Sequence, residues 1–182
     1  DYRSIKIGSI PKGKVFGSAI AGIVESVGKN VKQFKEGDNV VGDTSDSGFG
    51  GFSEYLVVSE EILVLKPSRV SFKEAAALPV AAITALQAIR NKARITEGMD
   101  VLIVGSSGGV GIYAVQLTKH FGAKVTAVCS TRNVKQSISL GADVVIDYKK
   151  ENFKKHRGKY DLIMAINGSY SLSFYKRLLN PN

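Results

Sequence analysis

The segment Gly105-Ser-Ser-Gly-Gly-Val-Gly111 has the spacing with which a chain can bind the phosphates of a dinucleotide. Its glycines come directly after the apolar run Val101-Leu-Ile-Val104 and open an amphipathic stretch. A phosphate-binding turn must bend sharply, present backbone N–H groups at the start of a helix and let that helix approach the strand, and side chains would obstruct all three. A tight strand-to-helix turn without a ligand is the alternative. The residues that we expect at the pyrophosphate are Ser107, Gly108, Gly109, Val110 and Gly111.

The residues after the next predicted strand, Lys124-Val-Thr-Ala-Val128, favour NADPH over NADH as the cofactor. An Asp or Glu about 20 residues after the glycine segment would bind the ribose 2′-hydroxyl and repel a 2′-phosphate. No acidic residue stands there, and the chain continues into Ser130, Thr131 and Arg132. Hydroxyls and a guanidinium can bind a phosphate, the guanidinium through paired, charge-assisted hydrogen bonds. The alternative is that Ser130 and Thr131 only start the following helix.

The composition is that of a globular protein and argues against several kinds of site. The chain of 182 residues is 44% hydrophobic and 23% charged, and no run approaches the roughly 18 apolar residues of a membrane span. One cysteine and two histidines cannot form a four-cysteine zinc site or a histidine-rich metal cluster, so we expect no metal. The start of the sequence, Asp1-Tyr-Arg-Ser4, lacks the apolar core of a signal peptide, and we expect a cytoplasmic protein.

The net charge of +9 is spread along the chain rather than concentrated. The one dense basic run, Lys149 to Lys159, contains a single aromatic residue, Phe153. We interpret this run as the solvated face of a short helix and its exit loop, and we therefore expect no nucleic-acid partner. A role in binding nucleic acid or an anionic membrane surface, which would depend on the net charge, is kept as an alternative.

The first part of the chain, up to about residue 70, is predicted to be mostly β-structure. Short apolar runs alternate with turn residues at the spacing of a small β-barrel. The predicted strands are Ala19–Val24, Asn39–Gly42, Tyr55–Val58 and Ile62–Leu65.

From about residue 71 the pattern changes to helices and then to alternating strands and helices. The stretch from Phe72 to Arg90 is alanine-rich, has apolar residues at helical spacing and is interrupted only by Pro79. The alternation that follows predicts right-handed βαβ units and a parallel sheet. Strands are predicted at 101–104, 124–128, 144–146 and 162–165, and helices at 110–121, 133–140, within the basic run and at 171–179.

Several groups of residues recur together in one known family, and they extend through nearly the whole chain. These are Gly17-Ser-Ala-Ile-Ala-Gly22 with Val27-Gly28, Glu36-Gly-Asp38 with Val41-Gly42, Gly50-Gly-Phe-Ser-Glu-Tyr55, Ala75-Ala-Ala-Leu-Pro79 with Thr84-Ala85, the segment 105–111, and Leu140-Gly-Ala-Asp143 with Ile146-Asp-Tyr148. In these residues the sequence resembles the medium-chain dehydrogenase/reductases, and among them the quinone oxidoreductase branch.

The resemblance implies an α/β fold. A partial GroES-like β-barrel would occupy residues 1–70, a connecting helical segment 71–98, and a partial Rossmann dinucleotide-binding domain with a parallel sheet 99–182. A whole member of the family would begin some tens of residues earlier, continue beyond the last residue and, by resemblance, form a homodimer. Zinc-dependent members carry Gly-His-Glu where this sequence has Gly17-Ser18-Ala19, so the resemblance implies no catalytic zinc.

The implied function is an NADPH-dependent oxidoreductase that reduces quinones or α,β-unsaturated carbonyls by direct hydride transfer. Such acceptors spread the developing negative charge by conjugation, so zinc is not needed to stabilise an alkoxide. The sequence names no catalytic acid or base. The alternative function is a non-enzymatic NADPH-binding protein with a structural or sensor role.

The resemblance also implies roles for individual residues. Ser130 and Arg132 with Tyr148 would surround the 2′-phosphate, and the Tyr148 ring could pack against the adenine. Asn167 would lie near the nicotinamide ribose, and Thr84 would face the nicotinamide. The alternatives are a half-buried tyrosine at a strand end for Tyr148, a turn residue for Asn167, and packing or bonding within its own helix for Thr84. The pyrophosphate would be held by Ser107, Gly109 and Val110.

Overall fold

The computed structural model describes residues 15–168 and 170–181. The chain divides into two compact units, Asp1–Val80 and Ala81–Asn182. The division between Val80 and Ala81 falls within the predicted helical connection at 71–98. Residues 1–14 of the predicted barrel lie outside the described residues, and so does the segment Asp1-Tyr-Arg-Ser4.

The first unit contains a three-stranded antiparallel sheet in the order β1-β2-β3. Its strands are β1 (Ala19–Ile23), β2 (Asn39–Asp43) and β3 (Leu63–Leu65). The central strand β2 buries Val40 and Val41, as its apolar run predicts. Three of the four predicted strands of this part are confirmed.

The fourth predicted strand, Tyr55–Val58, is wrong because this segment is irregular. Val57 is 98% exposed and Tyr55 is 74% exposed. β-branched and aromatic residues favour an extended chain, but a strand forms only where a neighbouring strand pairs with it. No strand of the described residues pairs with this segment.

The predicted helix from Phe72 to Arg90 is divided at Pro79. Helix α1 (Phe72–Ala76) begins with a capping box, in which Ser71 and Glu74 exchange hydrogen bonds with each other's backbone N–H groups. Helix α2 (Ala81–Leu86) starts after the proline and continues as a π-helical segment, Gln87–Ala93. Proline lacks an N–H and clashes with the preceding turn, which explains the interruption.

The second unit contains a four-stranded parallel sheet, as the alternating pattern predicts. Its strands are β4 (Asp100–Val104), β5 (Lys124–Cys129), β6 (Val144–Asp147) and β7 (Leu162–Ala165), and its later helices are α3 (Gly109–His120), α4 (Val134–Ser139) and α5 (Leu172–Leu178). The spatial order is β6-β5-β4-β7, so the chain reverses its direction across the sheet after β6. In open parallel sheets, ligands bind at such a reversal, outside the carboxyl ends of the strands.

Strand β4 is covered on both faces. Val101 and Ile103 lie in the apolar layer that includes Val115 of α3. Leu102 and Val104 lie in the opposite layer, with residues of α5. Successive side chains of a strand point to opposite faces. A strand that is covered on both faces therefore needs apolar residues at consecutive positions.

The basic run after β6 does not form the short helix that the sequence predicts. It contains only a 3₁₀ turn, Phe153–Lys155. Phe153 is buried, with its ring centroid 5.2 Å from that of Tyr170 and 5.3 Å from that of Phe174, and this anchoring holds the chain close to the sheet. The basic side chains of the run are exposed, as expected of a solvated face. No helix of the described residues is long and apolar enough to cross a membrane.

Candidate dinucleotide site

The turn between β4 and α3 requires glycine at its first and last positions. Gly105 has a φ of +86°, and a Cβ there would lie 2.8 Å from the Cβ of Asn167. A Cβ on Gly111 would collide with the carbonyl oxygen of Gly105. The first glycine therefore permits the sharp bend, and the last lets α3 begin directly beside the turn, as the spacing predicts.

The two middle glycines are not required by the packing of the protein. A Cβ on Gly108 would lie 3.6 Å from its nearest neighbour, the Gly105 oxygen, and one on Gly109 would lie 3.8 Å from the Cβ of Ala81. Both glycines are exposed. Bare backbone at an exposed helix start leaves room for a ligand to approach closely, so the shape of this turn fits a pyrophosphate.

The N–H groups of this turn fit an anionic ligand as well. The first hydrogen bond of α3 runs from the Ile112 N–H to the Gly108 oxygen, at 3.0 Å. In the described part of the chain, no acceptor is present for the N–H groups of Ser107, Gly109 and Val110. Since α3 is twelve residues long, its dipole adds partial positive charge at this end.

The residues after β5 form a 3₁₀ turn, Thr131–Asn133, with Ser130 as its N-cap. Thr131 and Arg132 are exposed, and Ser130 is half-buried. Among the described residues, nothing forms an ion pair or hydrogen bond with the Arg132 guanidinium. The guanidinium is therefore available to an anionic group.

Asn133, which sequence reasoning did not select, joins this turn to the glycine turn. Its Nδ2 donates to the Ser107 Oγ at 2.9 Å and to the Ser130 Oγ at 3.2 Å. The two serines on which the phosphate predictions depend are thus brought together. The sequence signal that could have indicated this link is an amide side chain three residues after Ser130, in the same turn.

A second set of polar side chains lies beneath the glycine turn and was also missed. The buried hydroxyls of Ser106 and Ser137 are 3.1 Å apart. They also reach the Val128 carbonyl oxygen, 3.4 Å from Ser106 Oγ, and the Cys129 Sγ, 3.6 Å from Ser137 Oγ. Cys129 is buried and has a free thiol. This set attaches α4 and β5 to the underside of the turn.

Tyr148 lies at the carboxyl end of β6, next to the end of β5. Its N–H donates to the Cys129 oxygen at 3.1 Å, and its exposed ring lies 5.7 Å from the Lys149 Nζ. The preceding Asp147 is buried and accepts a hydrogen bond from the Lys149 N–H, which shapes this turn. Burial acts to raise the pKa of Asp147, but the Thr131 hydroxyl, the Lys149 N–H and a nearby lysine together hold it below its ordinary value.

The structure places Asn167 at the glycine turn and Thr84 on the neighbouring helix. Asn167 follows β7, donates from its N–H to the Val104 oxygen at 3.3 Å and lies against Gly105. Helix α2 packs against α3, and its first residue, Ala81, lies beside Gly109. Thr84 is exposed one turn further along α2. Its predicted contact with the nicotinamide, like the roles of the other site residues, stays a prediction.

Two protein families match the chain. The family described as "Alcohol dehydrogenase GroES-like domain" matches residues 1–68, and the family described as "Zinc-binding dehydrogenase" matches residues 109–182. This chain belongs to the medium-chain dehydrogenase/reductase superfamily. The fold expected from the resemblance, a GroES-like domain followed by a Rossmann-like domain with a parallel sheet, is confirmed.

Two relatives within the superfamily are plant reductases. The 2-methylene-furan-3-one reductase of Solanum lycopersicum is 45% identical over 161 residues, which are 84% of this chain and 41% of that protein. The NADPH-dependent alkenal/one oxidoreductase of Arabidopsis thaliana is 40% identical over 161 residues, 84% of this chain and 42% of that protein. The chain thus spans less than half the length of either relative.

Solved structures of the quinone oxidoreductase branch share this fold. The quinone oxidoreductase of Pseudomonas syringae has a TM-score of 0.86 and 30% identity, covering 96% of this chain and 55% of that one. The Escherichia coli quinone oxidoreductase complexed with NADPH has a TM-score of 0.70 and 31% identity, covering 75% of this chain and 41% of that one. The predicted branch of the superfamily is confirmed by these matches.

Among the residues that the structure describes, no three side chains of His, Cys, Asp or Glu lie close enough together to hold a metal ion. Ser18 and Ala19 occupy the positions at which the resemblance sets histidine and glutamate in zinc-dependent members. Neither side chain is among the usual zinc ligands of proteins.

Proposed function

We propose that this protein is an NADPH-dependent oxidoreductase that reduces quinones or α,β-unsaturated carbonyls. The observation that carries the proposal is the glycine turn, in which the N–H groups of Ser107, Gly109 and Val110 lack acceptors among the described residues. It lies next to a turn that bears two hydroxyls and an unpaired guanidinium. The names of the relatives and of the NADPH-bound structural neighbour support both the cofactor and the acceptor class.

The preference for NADPH rests on the side chains after β5. Ser130, Thr131 and Arg132 stand where a carboxylate would favour the ribose hydroxyl of NADH. Asp147, which pairs with Cys129 at the end of β6, is buried and accepts a hydrogen bond from the Lys149 N–H, so it does not offer an exposed carboxylate there. A 2′-phosphate would gain charge-assisted hydrogen bonds from Ser130 and Arg132.

When bound, NADPH would supply a hydride to a conjugated acceptor, on which negative charge would develop before a proton is taken up. Conjugation stabilises this charge, so the reaction proceeds without a Lewis acid. We therefore propose a zinc-independent reaction, in which the residues named above bind and orient the two ligands.

The test is NADPH oxidation by the full-length protein with a panel of quinones, enones and simple ketones. We expect quinones or enones to be reduced and simple ketones to remain unchanged. The Gly109→Asp variant serves as the control for background oxidation. NADPH binding without turnover of any acceptor would instead support a non-enzymatic binding protein, and efficient reduction of simple ketones would contradict the proposed acceptor class.

We further propose that the full-length protein is a homodimer located in the cytoplasm. The family resemblance supports the dimer. Light scattering of the purified protein tests the first, and the location of a fluorescent fusion tests the second. A monomeric mass, or fluorescence confined to an organelle, would contradict the respective proposal.

A further inference from the structure

The Asn133 side chain is the direct link between the two turns that are proposed to bind phosphate. Each of the two N–H bonds of an amide can serve a different acceptor. Here one serves the Ser107 Oγ, 2.9 Å away, and the other the Ser130 Oγ, 3.2 Å away. Ser107 belongs to the glycine turn, and Ser130 belongs to the turn after β5.

Asn133 makes these contacts instead of capping its helix. It is the N-cap of α4, a position where an asparagine side chain normally accepts a hydrogen bond from a backbone N–H of the first turn. No such bond is present at Asn133, although Asn152 makes one to the Lys154 N–H, at 3.1 Å. The amide of Asn133 is turned towards the two serines.

The two hydrogen bonds from Asn133 determine the direction in which the hydroxyls of Ser107 and Ser130 can donate. A hydroxyl has one hydrogen, and one that accepts a hydrogen bond keeps its own hydrogen for another acceptor. Neither Ser107 Oγ nor Ser130 Oγ donates to an acceptor among the described residues. Ser107 and Ser130 are both half-buried, and each accepts a hydrogen bond from Asn133. Their hydrogens are thus left for an acceptor outside the protein, and phosphate oxygens are acceptors.

We propose that Asn133 is a positioning residue for NADPH, which orients the Ser107 hydroxyl towards the pyrophosphate and the Ser130 hydroxyl towards the 2′-phosphate. Through this single amide the two phosphate sites are coupled, and cofactor preference depends on a residue that does not itself touch the 2′-phosphate. The inference rests on the proposed function.

The experiment measures dissociation constants of NADPH and NADH for the full-length protein and its variants Asn133→Ala, Ser130→Ala and the double variant. Loss of one oriented hydrogen bond to the 2′-phosphate should reduce the NADPH preference of Asn133→Ala by about fivefold. In the Ser130→Ala background, Asn133→Ala should reduce the preference no further, since the hydroxyl through which it acts is gone. Independent, multiplying effects on the preference would overturn the proposal.

A carboxylate variant tests the donor role of the amide. Asn133→Asp has nearly the same shape but no N–H, so both serine hydroxyls would donate to it and turn away from the phosphates. We expect this variant to prefer NADPH less than Asn133→Ala does. An Asn133→Asp variant with the preference of the parent would show that the amide does not act as a donor.

Asn152→Ala is the matched control because it removes an asparagine that does cap a turn, outside the site. It should leave the cofactor preference unchanged, and thermal unfolding should show that all variants are folded. If the parent binds NADPH but Asn133→Ala binds both cofactors like the parent, the positioning role is wrong and the proposed function stands. If the parent binds neither cofactor, the proposed function fails and this inference fails with it.

Discussion

Gly109 is the residue at which the proposed cofactor binding can be tested separately from folding. A side chain there meets only ordinary contact with Ala81, and an aspartate in the first turn of α3 interacts favourably with the helix dipole. We predict that Gly109→Asp is folded but no longer binds NADPH, because its carboxylate would lie against the pyrophosphate. Isothermal titration of NADPH measures the loss.

The control for this prediction is Gly109→Asn, which has the size of the aspartate without its charge. It should bind NADPH more tightly than Gly109→Asp does, since only steric obstruction remains. Binding of NADPH by Gly109→Asp within a few-fold of the parent would show that the glycine turn is not the phosphate site.

Arg132 is the residue on which the proposed discrimination between the two cofactors depends most directly. Its exposed guanidinium has no partner among the described residues, so removing it should not disturb a structural contact. We predict that Arg132→Ala weakens NADPH binding by about tenfold or more, as expected for a charge-assisted hydrogen bond, and leaves NADH binding almost unchanged.

Ser130→Asp should shift the preference further than Arg132→Ala does. Its carboxylate would repel the 2′-phosphate and offer the ribose hydroxyl of NADH a partner. Dissociation constants of both cofactors for the parent and the two variants are the measurement. Equal losses for NADH and NADPH in Arg132→Ala would indicate that the arginine supports the turn in general.

At the scale of elements, the buried hydroxyls of Ser106 and Ser137 attach helix α4 to the glycine turn and to β5. We predict that Ser137→Ala lowers the free energy of unfolding by ~1–2 kcal/mol, because Ser106 loses its closest partner in a buried position. Urea unfolding followed by circular dichroism measures the change.

Ser139→Ala is the control on the same helix, since its exposed hydroxyl only bonds to the Gln136 oxygen of its own turn. It should change the free energy of unfolding by less than about 0.5 kcal/mol. Similar effects of the two variants would show that the buried contact between Ser106 and Ser137 adds little to the free energy of unfolding.

The elements that the sequence predicts correctly are those with a strong local pattern. Strands β4 and β7 follow continuous apolar runs, and α3 follows helical spacing after a glycine turn. The two errors, a strand at 55–58 and a helix in the basic run, concern segments whose conformation depends on distant partners. The first lacks a pairing strand, and the second is held by the buried ring of Phe153.

At the scale of the whole molecule, composition and residue placement both bear on the proposed independence of zinc. We predict that the purified full-length protein contains far less than one zinc per chain and that chelators leave NADPH oxidation unchanged. Ser18 and Ala19 do not supply zinc ligands, and Cys129 is buried. Elemental analysis and activity after dialysis against a chelator are the measurements. One tightly bound zinc per chain, lost together with activity, would contradict the prediction.

The sequence by itself determined the type of fold, the position of the glycine turn between β4 and α3, and the residues after β5. These are local properties, because apolar periodicity is read within one element and glycine is required by the backbone of a single turn. Tertiary structure decided the strand order β6-β5-β4-β7 and the contact of Asn167 with Gly105. It also decided the hydrogen bond between Asn133 and Ser107, which are 26 residues apart. Such contacts depend on where the sheet brings the ends of separate strands together, and no local sequence pattern encodes which strand ends become neighbours.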